Sequence, residues 1–178
     1  IVLNEIDALC NIDLNTRTIK EEHKKLKIIR IGTSGALQED IPVDTPVLTQ
    51  MAIGFDGLIN FYQNRDNISQ LDIEKAFVQH TGWNSKLPVP YFVEGSKNLI
   101  DKIGFDMIKG LTISAPGFYG PQGRILRLPI LDKNINDKIS AFRFNELKIN
   151  NYEMESSAIY GLSKLLGHEA LTVCLIIA

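Results

Sequence analysis

The sequence predicts an α/β domain whose central mixed or parallel sheet is covered by helices on both faces. Short apolar runs alternate along the chain with amphipathic segments, as expected when helices connect the strands of one sheet. The apolar runs are continuous and lack the alternation of a strand with one solvated face, so we expect both faces to be buried. The length of 178 residues fits one domain with a substantial core. We interpret residues 1–178 as that single domain.

Four apolar runs predict the strands. In sheets of this kind, ligands bind beyond the carboxyl ends of the strands. The segments that follow the strands are therefore the first places to look for functional residues. The predicted strands cover residues 26–32, 46–53, 107–113 and 170–178.

Four segments with apolar residues at helical spacing predict the helices. Ser69 and Ser96 are typical N-cap residues for the second and third helix. Gly82, Gly104 and Gly167 stand where the last three helices are expected to stop. The predicted helices fall within residues 1–10, 69–82, 95–104 and 150–167.

Composition and charge argue against several partners. Apolar residues make up 44% and charged residues 22% of the chain, the balance of a globular domain. With a net charge of −2, the chain lacks the basic excess by which nucleic-acid binders neutralise phosphates. No apolar run reaches the roughly 18 residues of a membrane-spanning helix. We therefore expect neither a nucleic acid nor a membrane as partner.

Cysteines and histidines give weaker indications. Cys10 and Cys174 both lie in apolar patterns, which predicts two buried free thiols and a reducing, cytoplasmic location. The three histidines lack metal-ligand spacing, so we predict surface histidines and no metal site.

Because the chain starts within a helical pattern at Ile1 and ends on a core-strand pattern at Ala178, we expect a fragment of a larger protein.

The segment RIGTSGA, residues 30–36, follows the first predicted strand. A tight glycine-containing loop can turn backbone N–H groups toward an anion, with hydroxyl donors from Thr33 and Ser34 and a forked cation from Arg30. Such a loop suits phosphate. Taken alone, the segment is also compatible with a simple turn.

The segment PGFYGPQGR, residues 116–124, follows the third predicted strand. Gln122 offers a paired donor and acceptor that match the imide edge of a base such as uracil, and Arg124 offers donors to a carbonyl oxygen. Phe118 offers an aromatic surface for a flat ring. The alternative interpretation is a rigid surface loop with an incidental aromatic residue.

The segment YEMES, residues 152–156, starts the last predicted helix. Glu153 and Glu155 can accept hydrogen bonds from the vicinal hydroxyls of a ribose, and Met154 offers a soft apolar surface to the sugar. Acids in a first helical turn are also favoured by the helix dipole, by about 0.3–1 kcal/mol each. This motif alone does not decide between the two explanations.

Taken together, the three segments resemble the nucleoside phosphorylases of the uridine phosphorylase and hexameric purine nucleoside phosphorylase type. The family pattern RIGT[ST]GA matches residues 30–36, FYxxQxR matches residues 118–124, and NYEMES matches residues 151–156, in the same order. The resemblance runs from about residue 26 to the end. It implies the three-layer α/β fold of that family, here expected to be incomplete.

The resemblance also implies roles on the phosphate side of the site. Arg30 and Thr33 would bind phosphate, the co-substrate, and no other cofactor would be needed. Ser34 and Gly35 would line the pocket beside the base, and Phe118 would pack on the base.

The partners would be a nucleoside and phosphate. The protein would form a homo-oligomer built from dimers, a hexamer being one form.

On the nucleoside side, the resemblance implies that Gln122 and Arg124 read the pyrimidine edge. Glu155 would hold the 2′- and 3′-hydroxyls, with Met154 against the sugar and Glu153 nearby. The catalytic set would be Arg30, Gln122, Arg124 and Glu155. The function expected is phosphate-dependent cleavage of a pyrimidine nucleoside to free base and ribose 1-phosphate.

Three other functions stay open from the sequence. The first is a purine nucleoside phosphorylase, although such an enzyme has no use for the Gln122–Arg124 pair. The second is a nucleosidase, although an enzyme that uses water has no use for the cation of Arg30. A catalytically inactive binding or storage protein on the same fold is the third.

Residues 65–95 depart from the usual pattern and are expected to cover the pocket or build an interface, with Trp83 as a packing residue.

Overall fold

Nine strands and six α-helices make up the chain in the computed structural model, which describes residues 1–178. Two short 3-10 helices, Leu58–Phe61 and Gly120–Gln122, lie in the connections. The strands are β1 (Ile12–Asp13), β2 (Thr18–Ile19), β3 (Lys27–Ala36), β4 (Pro46–Gly54), β5 (Tyr91–Glu94), β6 (Ile108–Ser114), β7 (Arg143–Phe144), β8 (Leu147–Glu153) and β9 (Glu169–Ile176). The helices are α1 (Val2–Asn11), α2 (Arg65–Ile68), α3 (Leu71–Thr81), α4 (Lys97–Ile103), α5 (Ile135–Ala141) and α6 (Ser156–Leu165).

The main sheet is mixed and runs in the order β3-β9-β4-β6-β8-β7, with β5 added on β4. The pairs β3–β9, β4–β6 and β6–β8 are parallel, whereas β4–β9 is antiparallel. A short antiparallel pairing of Gly35 with Tyr152 and of Ala36 with Asn151 also joins β3 to β8. Five strands therefore form a closed ring, and the carboxyl end of β3 lies beside that of β8.

Consecutive residues of β4 pack into two different apolar clusters. Ile53 packs with Phe77 of α3 and Ile139 of α5, whereas Ala52 packs with Tyr160 of α6. Because strand side chains alternate between faces, these clusters lie on opposite sides of the sheet. The predicted α/β fold with helices on both faces is confirmed.

The last predicted helix starts later than expected. Residues 150–153 belong to β8, and α6 begins only at Ser156. The backbone of Asn151, Tyr152 and Glu153 pairs with β6, and that pairing outweighs the helical spacing of the side chains. The prediction of Glu153–Glu155 as first-turn acids is therefore wrong.

The first predicted strand is longer than expected. It continues through the glycine at 32 to Ala36, so RIGTSGA is not a loop after a strand but part of one. Neither Gly32 nor Gly35 has a positive φ. The backbone instead stays extended and pairs with β9 up to Ser34.

Helix ends agree with the sequence in most places. Gly82 and Gly167 have φ of 60° and 79° and follow α3 and α6, and the Ser96 hydroxyl accepts the N–H of Leu99 at 3.4 Å. The prediction of Ser69 as an N-cap is wrong. Its hydroxyl donates to Glu74 and to the carbonyl of Phe92, because β5, which the sequence analysis missed, lies beside it.

Two predictions on thiols and histidines also need correction. Cys174 is buried, but Cys10 on α1 is only half-buried; both are free. His168 is buried rather than exposed: its Nδ1 accepts the N–H of Leu26 at 3.3 Å, and its Nε2 lies 3.0 Å from Asp7. None of the helices has the length and apolar character needed to span a membrane.

Candidate active site

The fold brings the three sequence motifs to one region. RIGTSGA lies on β3, PGFYGPQGR follows β6, Glu153 ends β8 and Glu155 follows it. Strands β6 and β8 are parallel neighbours, and β8 pairs with the end of β3 through Gly35 and Tyr152. Segments that are far apart in sequence therefore meet at one edge of the sheet.

Arg30 is the centre of a charged cluster. Its Nη1 lies 3.4 Å from Glu153 Oε2 and donates to Cys174 Sγ at 3.2 Å, and its Nη2 donates to Glu155. Burial acts to lower the pKa of Arg30, but the charge of Glu153, with Cys174 and Glu155, raises it overall. Burial likewise raises the pKa of the Cys174 thiol. The site therefore holds a permanent cation between carboxylates.

Glu153 is enclosed, with only 1% of its side chain exposed. Its carboxylate accepts the Ser114 hydroxyl and the backbone N–H groups of Glu155 at 2.9 Å and of Ser156 at 2.9 and 3.1 Å. Two of these donors are at the start of α6, where backbone N–H groups lack helical partners. All the bonds of Glu153, including that to Arg30, come from the protein itself.

Glu155 shares the Arg30 partner of Glu153 but differs in its exposure and in its hydrogen bonds. Its side chain is 54% exposed, and Arg30 is its only side-chain partner. Although Glu155 is the N-cap residue of α6, its side chain makes no capping hydrogen bond. Met154 next to it is 42% exposed. Glu155 and Met154 are thus the parts of the motif that a ligand can reach, and their ribose roles remain predictions.

Strand geometry separates the predicted phosphate ligands. Side chains alternate along β3, so Arg30 and Ser34 share one face and exposed Thr33 lies on the other. Ser34 is buried, and its hydroxyl accepts from Asn151 Nδ2 at 2.9 Å. The structure therefore brings Thr33 and Arg30 to the same strand but not to the same face.

The two glycines of RIGTSGA lie beside two arginines. A Cβ at Gly32 would lie 2.6 Å from Arg30 Nη1, and one at Gly35 would lie 3.4 Å from Arg124 Nη2. The predicted loop of amides is wrong, but Gly32 still has a role, because only there would a Cβ come too close to a guanidinium in its present position.

The loop after β6 forms a compact unit, which we call the base clip (residues 118–124). Arg124 Nη1 donates to the Phe118 carbonyl at 2.9 Å and to Gln122 Oε1. The Arg124 guanidinium carbon lies 4.1 Å from the centre of the Phe118 ring, a cation–π contact. Because the Oε1 atom of Gln122 is occupied, the clip offers mainly N–H donors to a ligand.

A cleft of about 1100 Å³ opens beside the clip. Its lining includes Trp83, Pro88, Tyr119, Arg124 and residues 126–132, but neither Phe118 nor Gln122. Arg30 and Glu155 do not line it, so the charged cluster lies outside the cleft. Trp83 packs on Phe55 with ring centres 4.6 Å apart, in agreement with its predicted packing role, and residues 65–95 contribute to the cleft wall.

Sequence reasoning missed two polar residues of this region, Ser114 and Asn136. Ser114 is buried at the end of β6 and contacts Glu153, and a hydroxyl at a strand's carboxyl end could have indicated it. Asn136 of α5 donates to the Gln122 carbonyl at 3.1 Å. No sequence signal distinguishes Asn136 from a surface asparagine.

Comparison with known proteins gives a consistent result. The family described as the Phosphorylase superfamily matches residues 10–178. A curated uridine phosphorylase from Thermococcus kodakarensis is 24% identical over 153 residues, which are 84% of this chain and 47% of the relative. The chain thus spans about half the length of this curated relative.

Solved structures agree on the fold. A Trypanosoma brucei nucleoside phosphorylase that shows uridine phosphorylase activity superposes with a TM-score of 0.85 at 27% identity, over 100% of this chain and 66% of that one. A Schistosoma mansoni uridine phosphorylase in complex with thymine gives a TM-score of 0.53 at 24% identity, over 86% and 50% of the two chains. The second likeness shows the fold alone.

Proposed function

The chain belongs to the phosphorylase superfamily, and from that premise we propose that its protein is a uridine phosphorylase. The reaction is phosphate-dependent cleavage of the N-glycosidic bond, giving uracil and ribose 1-phosphate. One observation carries the proposal: the clip of Gln122, Arg124 and Phe118 places Arg124 against Gly35 of β3, the strand whose Arg30 pairs with Glu155. The uridine phosphorylase relatives support the pyrimidine.

The base clip suits a leaving group that becomes negative. As the bond from C1′ to the base nitrogen breaks, its electron pair stays on the base. The Arg124 guanidinium, held by Phe118, presents N–H donors at the cleft, and the buried Gln122 side chain lies against it. Such donors bind the departing anion more tightly than the neutral base, which is the condition for catalysis. The released anion takes a proton from water.

The charged cluster suits the other two partners of the reaction. Positive charge grows on the sugar as a phosphate oxygen approaches C1′, and Arg30 supplies the cation that holds the phosphate dianion. Glu155 is exposed enough to accept the 2′- and 3′-hydroxyls. In the free protein Glu155 pairs with Arg30, which keeps both charges compensated until the substrates arrive.

Two further properties belong to the proposal. The protein works in the cytoplasm, which the two free cysteines support. It also acts as a homo-oligomer built from dimers, with inorganic phosphate as co-substrate and no other cofactor. Light scattering of the full-length protein tests the assembly, and a monomer would contradict it.

The deciding experiment measures base release from uridine, thymidine and inosine by the full-length protein, with and without phosphate. We expect release from uridine only when phosphate is present. Release without phosphate would indicate a nucleosidase, and preference for inosine would indicate a purine phosphorylase. Binding without any turnover would indicate an inactive storage protein.

A further inference from the structure

The base clip is attached to the rest of the protein by very few polar contacts. Its hydrogen bonds are almost all internal: the N–H groups of Gln122 and Arg124 donate to the Tyr119 carbonyl, and that of Gly123 donates to the Gly120 carbonyl. The Arg124 side chain also donates within the clip. One hydrogen bond alone reaches residues 118–124 from another element, and it comes from Asn136.

Both ends of the Asn136 amide are used. Its Nδ2 donates to the Gln122 carbonyl at 3.1 Å, and its Oδ1 accepts the hydroxyl of Tyr152 at 3.2 Å. A backbone carbonyl only accepts and a neutral tyrosine hydroxyl can donate, so the partners fix the orientation of the amide. Tyr152 is buried in β8, directly before Glu153.

The clip also rests on Asn136 sterically. Gly123 has a φ of +72°, and a Cβ at that position would lie 2.5 Å from Asn136 Nδ2 and 2.7 Å from its Cγ. Gln122, the preceding residue, is only 3% exposed. The turn that presents Gln122 and Arg124 is therefore seated directly on this side chain.

We propose that Asn136 is a positioning residue, whose amide bridges the clip to β8 and so sets Gln122 and Arg124 relative to the ribose side of the site. The proposal rests on the proposed function, since it concerns recognition of the base. Asn136 has no contact with Arg30 or with Glu155. Its loss should thus affect the nucleoside and leave the phosphate unaffected.

The first test compares Asn136→Ala with Asn134→Ala in the full-length protein. Asn134 is an exposed residue on the same helix start, and its side chain makes no capping bond. A displaced reacting group of about 1 Å can cost 10²-fold, so we expect Asn136→Ala to lower kcat/KM for uridine by roughly 10- to 100-fold. The KM for phosphate should stay within about twofold, and Asn134→Ala should match wild type.

Asn136→Asp gives a second readout, which a structural role alone would not move. The carboxylate still accepts from Tyr152 but places a negative oxygen against the Gln122 carbonyl. Protonation restores an O–H donor at that position. The activity of this variant relative to wild type should therefore rise as the pH falls from 8 to 5.

Tyr152→Phe keeps the test informative if Asn136→Ala does not fold. It removes only the hydroxyl, and we expect a loss of about threefold in kcat/KM for uridine, nearly absent when Asn136 is also replaced. Unchanged uridine kinetics in both variants would overturn the proposal, as would equal increases in KM for uridine and phosphate. If wild type itself fails to cleave uridine, the proposed function fails. In that case the affinity for uracil, measured by calorimetry, tests the positioning role of Asn136. Equal affinity in wild type and Asn136→Ala would overturn that role.

Discussion

The two glutamates of NYEMES should respond in opposite ways to loss of charge. Glu153 is enclosed, accepts hydrogen bonds from Ser114 and from two N–H groups at the start of α6, and forms an ion pair with Arg30. Glu155 is half-exposed and contacts Arg30 alone. We therefore predict that Glu153→Gln costs folding stability and that Glu155→Gln costs activity.

The magnitude follows from these contacts. Removing one partner of a buried charge pair costs about 3–5 kcal/mol, and the amide of Glu153→Gln turns one donor toward N–H groups that need an acceptor. We take about 3 kcal/mol, which corresponds to a fall in Tm of roughly 6–12 °C for a domain of this size. An exposed pair contributes about 0.2–1 kcal/mol, so Glu155→Gln should move Tm by no more than about 4 °C. Its kcat/KM should fall roughly 10- to 100-fold, because a hydrogen bond to a charged group is worth about 1.5–3 kcal/mol.

The assay is thermal unfolding of both variants and wild type at one protein concentration, followed by kinetics with saturating phosphate. Glu5→Gln serves as the matched control, since Glu5 is exposed and distant in sequence from all three motifs. The reasoning would be refuted if Glu155→Gln lowered Tm as much as Glu153→Gln. It would equally be refuted if Glu155→Gln kept full activity.

Three further changes test other parts of the structure. Arg124→Ala should lower kcat roughly 10²–10³-fold, the usual cost of removing a preorganised donor, with little change in Tm. Full activity would contradict the base-clip assignment. Lys133→Ala serves as the control for loss of a positive surface charge. Gly32→Ala places a Cβ 2.6 Å from Arg30 Nη1, so it should raise the KM for phosphate several-fold, and an unchanged KM for phosphate would contradict the assigned role of that glycine. Hydrogen bonds from Asn98 and Ser96, together with Lys25, lower the pKa of Glu169 from 4.5 to about 2. Wild type should therefore have a higher Tm than Glu169→Gln above pH 4.5, and this difference should shrink as the pH falls toward 2. A difference in Tm that does not change with pH would refute the prediction.

The sequence predicted the class of fold and the order of most elements. The apolar runs at 46–53, 107–113 and 170–178 are strands, within a few residues. The helices around Ser96 and before Gly82 also lie where capping residues place them. These features are local, since apolar spacing and capping chemistry act over a few neighbouring residues.

The sequence could not predict where strand pairing overrides local preference. Residues 150–153 have the spacing of a helix, yet β6 pairs with their backbone. The glycines of RIGTSGA suggest a loop, yet β9 holds them extended. The short strand β5 and the burial of His168 depend on neighbours that are distant along the chain.

By itself, the sequence predicted which residues bring chemistry to the candidate site: a cation in RIGTSGA, donors in FYGPQGR and carboxylates in NYEMES. Only the tertiary structure decided how these residues divide the work. It buries Glu153 among three hydrogen-bond donors and the Arg30 cation, leaves Glu155 exposed, and places Asn136 against the clip. The physical reason is that side-chain chemistry is a property of each residue, whereas burial and hydrogen-bond partners are set by strands and helices that meet only in the folded chain.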